Sequence, residues 1–127
     1  TLVFISHNLS VVRHVSDRIL VLYLGRVVEL ADGDALYNDP RHPYTQALLT
    51  AVPIPDPKRA RQRDIDALQG EIPSPLNPPS GCTFRTRCRY AIDLCAERRR
   101  PLEDVDGRLV ACHRWRELKA AEAAAQA

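Results

Sequence analysis

Nine of the ten prolines lie between Pro40 and Pro79 in a chain of 127 residues. Proline fixes φ, donates no backbone hydrogen bond and pushes the residue before it out of the helical region. A stretch so dense in proline is expected to form a well-defined but irregular connection. It sets a boundary near residue 53: an ordered α/β piece over residues 1–52, then a Pro-rich crossing and a cysteine-bearing lobe over residues 53–127. No internal repeat interrupts this division.

Charge follows the same division. Residues 1–57 carry four Arg, no Lys and six acids, whereas residues 80–100 carry six Arg and two acids. Positive charge is concentrated around the first three cysteines, although the whole chain sums to only +2. That balance is too small to indicate nucleic acid. With 45% apolar and 27% charged residues, the composition is globular rather than disordered or collagen-like. The longest purely apolar run, Ile19 to Leu24, is about a third of a bilayer-spanning helix, and no signal-peptide pattern is visible. The chain has no Met and opens on Thr1 in a strand-like run. The expectation is a fragment of a longer protein.

Thr1–Ser6 is nearly continuously apolar and β-branched, the pattern of a strand buried on both faces in a parallel sheet. Asn8 or Ser10 is placed to cap a short helix across Leu9–Val15. Asp17–Tyr23 reads as a second strand, Leu24-Gly25 as a tight turn and Arg26–Leu30 as a third strand paired with the second. Asp34 is expected to cap a short helix through Tyr37 that stops at Asp39-Pro40. Pro43 fits the first turn of a helix through Ala51, ended by Pro53. The Glu117–Ala127 tail has high helix propensity and almost no apolar face, so fraying is expected.

His7 stands at the carboxyl end of the first predicted strand. Ligands of open α/β sheets bind outside the carboxyl ends of strands, where helix N-termini favour anions. An imidazole there can bond a phosphate oxygen or the water attacking it. A histidine that only caps the strand or helix end also accounts for the position.

Three stretches resemble a known family. Phe4–Val12 with Ser16–Glu29 is similar to the switch-histidine region of ABC-transporter ATPases. Asn38–Leu49, which contains His42-Pro43-Tyr44, is similar to the segment that marks the ATP-binding subunits of oligopeptide/dipeptide importers. Gly70–Cys88 resembles the C-terminal extension of that branch, so the resemblance covers roughly residues 1–116.

The resemblance implies an α/β fold: the C-terminal end of a P-loop-type ABC ATPase domain, followed by a Pro-rich, cysteine-bearing extension. It implies a parent protein that hydrolyses ATP with Mg²⁺ to power peptide import. The implied partners are membrane-spanning permease subunits, a second ATP-binding subunit (identical or paralogous) and, indirectly, a peptide-binding protein. The implied location is peripheral, on the cytoplasmic face of the membrane. At the position of His7 the family carries a histidine near the γ-phosphate, so His7 is the residue assigned to catalysis and nucleotide binding. The 127 residues contain no Gly-x-x-x-x-Gly-Lys-Ser/Thr loop, no signature motif and no apolar strand ending in Asp-Glu. This chain alone is expected not to hydrolyse ATP. It departs from the family after Glu29, where Leu30-Ala31 precede Gly33.

Packing alone would explain His42-Pro43-Tyr44, with Pro43 at a helix start, Tyr44 as a half-buried anchor and His42 capping or solvated. His14 is expected on the surface. The second constellation is Cys82, Cys88, Cys95 and Cys112, separated by five, six and sixteen residues within 31 positions of a chain otherwise free of Cys. Three readings compete. Disulfides rarely persist in a reducing cytosol. Zinc prefers thiolates two to four residues apart, a spacing absent here. An iron–sulfur cluster accepts four thiolates from wider loops, and resemblance to the family's extension implies a four-iron four-sulfur cluster at these four cysteines.

Arg85, Arg87, Arg89 and Arg98 to Arg100 flank the cysteines. They would lower the cost of enclosing an anionic cluster, form a solvated rim, or meet acidic loops or anionic lipid headgroups. Nucleic acid fits poorly, since the chain has only seven aromatics and no recognised reader motif. His113, beside Cys112, is a substitute metal ligand, and Trp115 is expected to pack under the lobe. Residues 80–116 hold about nine large apolar groups, too few to offset an ordering cost of roughly 1–2 kcal/mol per residue. A bound metal would supply the missing folding energy. The alternative to a transporter subunit is a non-enzymatic metal-binding interaction module whose α/β part is a scaffold.

Overall fold

The computed structural model describes residues 1–51 and 70–126. Most of the expected proline-rich crossing, and the end of the third helix at Pro53, lie outside the described residues. Asn8 caps α1 (Leu9–Val15), its side-chain oxygen accepting the Val11 N–H at 3.3 Å. The strands β1 (Arg18–Tyr23) and β2 (Arg26–Asp32) form an antiparallel hairpin. Leu24 and Gly25 turn it at φ 48° and 74°, the left-handed geometry that matches the twist of a two-residue hairpin. Along β1, Ile19, Val21 and Tyr23 enter the core while Leu20 and Leu22 stay exposed.

The chain continues through α2 (Gly33–Asn38) and α3 (Pro43–Thr50), the latter with Pro43 in its first turn. After residue 70 come α4 (Asp93–Glu97), β3 (Glu103–Val105), β4 (Arg108–Val110) and α5 (Trp115–Gln126). β3 and β4 form a second hairpin, turned by Asp106 and Gly107 at φ 55° and 78°. β4 then pairs antiparallel with β2, Glu29 opposite Val110 and Leu30 opposite Leu109. One four-stranded sheet, ordered β1-β2-β4-β3, therefore joins strands from either side of residue 53.

The strand expected over Thr1–Ser6 does not form. Leu2, Val3 and Ile5 are exposed, and no described strand runs beside them. A strand apolar on both faces depends on neighbours at both edges, and without them its backbone stays unpaired.

Val12, Ile19, Val21, Tyr23, Val28 and Leu36 build the core. Phe84, from the cysteine segment, completes it at 2% exposure. Its ring lies 5.2 Å from Tyr23 and 5.3 Å from Tyr44, centroid to centroid. Among the described residues, the apolar groups of the cysteine segment form no core cluster of their own. Phe84, Val110 and Trp115 are buried, whereas Ile92 and Leu102 are exposed. That segment is held by inserting Phe84 into the first segment and by adding β4 to its sheet. Among the described residues no helix is long and apolar enough to cross a membrane.

Candidate functional site

Turns and short contacts bring the four cysteines to one place. From Cys82 the chain winds through successive turns, Arg85 N–H to Cys82 carbonyl at 3.1 Å and Cys88 N–H to Arg85 carbonyl at 3.4 Å. Phe84 anchors this winding in the core. Cys95 sits on α4, and its carbonyl accepts the Cys82 N–H at 2.7 Å. The approach is possible because Gly81 has φ +64° and no side chain. A Cβ there would lie 2.2 Å from the Cys95 carbonyl oxygen. Cys112 follows β4, where the Ala111 N–H donates to the Val28 carbonyl of β2 at 2.9 Å. The Arg114 N–H reaches the Cys112 Sγ at 3.4 Å.

All four cysteines line one pocket, which His42, Phe84 and Arg114 also border. All four are free thiols. Burial pushes the Cys82 thiol up, Cys88 to about 11 and Cys112 to about 12, and each neighbouring thiol adds to the effect. Arg99 beside Cys82 and Arg114 beside Cys88 act the other way. In the absence of a cation these groups are neutral thiols, and metal ligation would release their protons.

A single zinc ion requires its ligands to meet at one point, each sulfur about 2.3 Å from the metal, whereas a cluster binds each thiolate to a different iron. Among the described residues no group of three or more His, Cys, Asp or Glu side chains is gathered so as to hold a metal ion. His113 does not serve as a substitute ligand through Nε2, which bonds the Arg98 carbonyl at 2.8 Å.

His7 is exposed, in the bend just before the Asn8 cap, and does not line the cysteine cavity. His14 is exposed, as expected. Of the flanking arginines, Arg85 bonds the Ser80 carbonyl at 2.9 Å and Arg100 bonds Glu103 at 3.1 Å. Arg98 and Arg99 are exposed. Trp115 is buried beneath Arg41, whose guanidinium carbon lies 4.7 Å from the ring centroid.

His42 is a cap but is not solvated. At 1% exposure, its Nδ1 accepts the Tyr44 N–H at 3.0 Å and closes the first turn of α3. Burial lowers its imidazole to about 3, while a hydrogen bond to the Ala111 backbone works against that shift. The His42 N–H donates to Glu29 at 2.9 Å, as does the Arg41 N–H at 3.0 Å. Glu29 is wholly buried, a placement that an apolar-flanked Glu in a strand did not announce. Its charge is met by Arg108 at 3.0 Å, which also reaches Asp39 at 3.2 Å.

Residues 28–95 match the family described as the oligopeptide/dipeptide transporter, C-terminal region. The chain is 53% identical over 113 residues to the oligopeptide transport ATP-binding protein OppF of Haemophilus influenzae, covering 88% of this chain and 34% of that protein. It is 54% identical over 112 residues to OppF of Escherichia coli, with the same coverage of 88% and 34%. To the protein YkfD of Bacillus subtilis it is 51% identical over 123 residues, 96% of this chain and 37% of that protein. The chain thus spans about a third of the length of the curated relatives it matches.

Proposed function

This chain belongs to the oligopeptide/dipeptide transporter C-terminal-region family, and from that premise we propose that it is the C-terminal part of an ATP-binding subunit that powers peptide import. The similarity to oligopeptide transport ATP-binding proteins over 88% of the chain supports this reading. The parent protein binds and hydrolyses ATP with Mg²⁺, pairs with a second ATP-binding subunit and works against membrane-spanning permease subunits supplied by a peptide-binding protein. It is peripheral to the cytoplasmic face of the membrane. The 127 residues alone do not hydrolyse ATP, since they contain no phosphate loop.

His7 contributes an imidazole beside the γ-phosphate, there to hold the attacking water. Its exposure ahead of the α1 cap leaves the ring accessible to a nucleotide bound by other parts of the protein. In a subunit that includes the phosphate loop, His7→Ala is expected to lower the rate of ATP hydrolysis about 100-fold or more while ATP still binds. An unaltered rate contradicts the assignment.

The cysteine cavity holds a four-iron four-sulfur cluster in this reading. The observation that carries it is the placement of Cys82, Cys88, Cys95 and Cys112 around one cavity. When bound, such a cluster cross-links the segments that supply its thiolates and adds a redox-active centre. The chain's own residues prepare the site. The Cys82 N–H bond to the Cys95 carbonyl fixes two of the ligand-bearing segments together, and Arg99 and Arg114 offset negative charge on the sulfurs. Phe84 holds the Cys82–Cys88 loop to the core.

A further inference from the structure

The Cys82 turn is latched to the end of α4 at two points. The Cys82 N–H donates to the Cys95 carbonyl at 2.7 Å, and the Ser80 hydroxyl donates to the Ala96 carbonyl at 2.9 Å. Arg85 braces the turn from its other side, bonding the Ser80 carbonyl at 2.9 Å and the Ser80 hydroxyl at 3.2 Å. Gly81 lies between the two latch points and admits the approach because it has no Cβ. Among the described residues no backbone hydrogen bond joins Cys88 or Cys112 to another cysteine.

That contact sets a distance. With standard backbone dimensions, the 2.7 Å bond from the Cys82 N–H to the Cys95 carbonyl holds the two Cα atoms within about 6.6 Å of each other. A disulfide spans Cα separations of about 4.4–6.8 Å. Cys82 and Cys95 are both free thiols, and both line the same pocket, so their side chains turn to a common space. Cys82 is half-buried and Cys95 buried, which leaves Cys82 the more open to a small oxidant.

We propose that Cys82 and Cys95 are a redox pair that forms an intramolecular disulfide when the metal-free chain meets hydrogen peroxide. The Cys82 sulfur, as thiolate, attacks one peroxide oxygen. The O–O bond breaks, Cys82 becomes a sulfenic acid, and the departing hydroxide takes up the thiol proton as water. The Cys95 sulfur then attacks the Cys82 sulfur. The S–S bond forms as the S–O bond breaks, and the second hydroxide leaves with the Cys95 proton as water. Two thiols thus give up two electrons and two protons, and one peroxide becomes two waters. The pairing does not depend on the pocket being a cofactor site. A bound cluster would hold both sulfurs, so the reaction belongs to the chain without metal.

The reduced, metal-free chain is treated with hydrogen peroxide, its remaining thiols are alkylated, and the monomer is digested with trypsin without reduction. Each cysteine falls on a separate tryptic peptide, so mass spectrometry reads the pairing. The Cys82–Cys95 link is expected to exceed every other pairing about tenfold or more, because the folded contact holds the two partners together. In concentrated urea loop closure governs instead. Cys82–Cys88 and Cys88–Cys95, separated by five and six residues, should then overtake a link that skips Cys88. Gly81→Ala, which displaces the Cys95 carbonyl, is expected to lose the preference in native buffer, and Gly107→Ala, at the other hairpin turn, to keep it. No disulfide in native buffer, a different dominant pair, or a preference that survives urea or Gly81→Ala overturns the proposal.

Discussion

The carboxylate of Glu29 on β2 accepts a hydrogen bond from the Arg108 guanidinium of β4 at 3.0 Å, across 79 positions of sequence, with Glu29 wholly buried. The Arg41 and His42 N–H groups donate to the same carboxylate. Arg108 also takes the Asp39 carbonyl at 2.7 Å, and Asp39 meets Lys119 of α5 at 2.8 Å. One buried charge pair thus fastens the first hairpin, the entry to α3 and the C-terminal hairpin. Removing one member strands the other in a dry site. Arg108→Ala is expected to cost about 3–5 kcal/mol in urea unfolding. The Glu29→Leu, Arg108→Met double variant is expected to cost less than the two single changes summed. Additive losses would show that the two residues act independently.

Gly81 is set by a steric requirement. Its φ is +64° and a Cβ would meet the Cys95 carbonyl oxygen at 2.2 Å. Gly107 has φ +78° and nothing within 4 Å of a Cβ. Gly107→Ala is expected to cost about 1–2 kcal/mol, for the left-handed backbone alone. Gly81→Ala carries that cost and must also break the Cys82–Cys95 backbone bond, so its loss is expected to be roughly twice as large or more. Thermal unfolding of the two variants side by side decides it, and equal losses would contradict the account.

Phe84 tests how the cysteine segment is held. Packed against Tyr23 and Tyr44 at 2% exposure, it is, among the described residues, the one large apolar side chain that this segment puts into the core cluster. Phe84→Ala is expected to cost about 3–5 kcal/mol and to expose Cys82 and Cys88 to alkylation together. A stable variant with protected thiols would mean that the segment has another anchor.

Acid should weaken the fold through His42. Burial lowers its imidazole to about 3, against about 6.5 in an unfolded chain. Between these values the unfolded chain binds a proton that the folded chain refuses. The contribution is therefore complete above about pH 6.5 and is lost as the pH falls towards 3, at about 1.4 kcal/mol per unit. Asp39 adds to the same trend. Burial opposes its ionisation, but Lys119, Arg108 and Arg41 together hold its carboxyl below the ordinary value. Urea unfolding at a series of pH values should give a flatter acid limb for His42→Gln than for the wild type, and identical limbs would refute the assignment.

The first hairpin, α1 and α3 were legible because their signals are local: Leu24-Gly25, Asn8 and Pro43 each act within a turn of themselves. The second hairpin carries an equally local signal, Asp106-Gly107 between short β-prone runs. Thr1–Ser6 misled for the opposite reason, since an apolar strand is realised only by its neighbours. Glu29 could not be placed from sequence. A Glu in a strand reads as solvent-facing until the arginine that neutralises it is known, and Arg108 lies on another hairpin. The clustering of the cysteines in the sequence pointed to the pocket that they line together. That His42 borders the same cavity depended on β4 joining β2, a non-local pairing that spacing does not encode.

The most direct test is an anaerobic preparation of the full chain, assayed for iron, acid-labile sulfide and zinc, with the Cys112→Ser variant beside it. The account predicts about four irons and four sulfides per wild-type chain with a broad visible absorption, and loss of most of both in the variant. Zinc alone, or a folded wild-type chain carrying no metal after anaerobic loading with iron and sulfide, would contradict it.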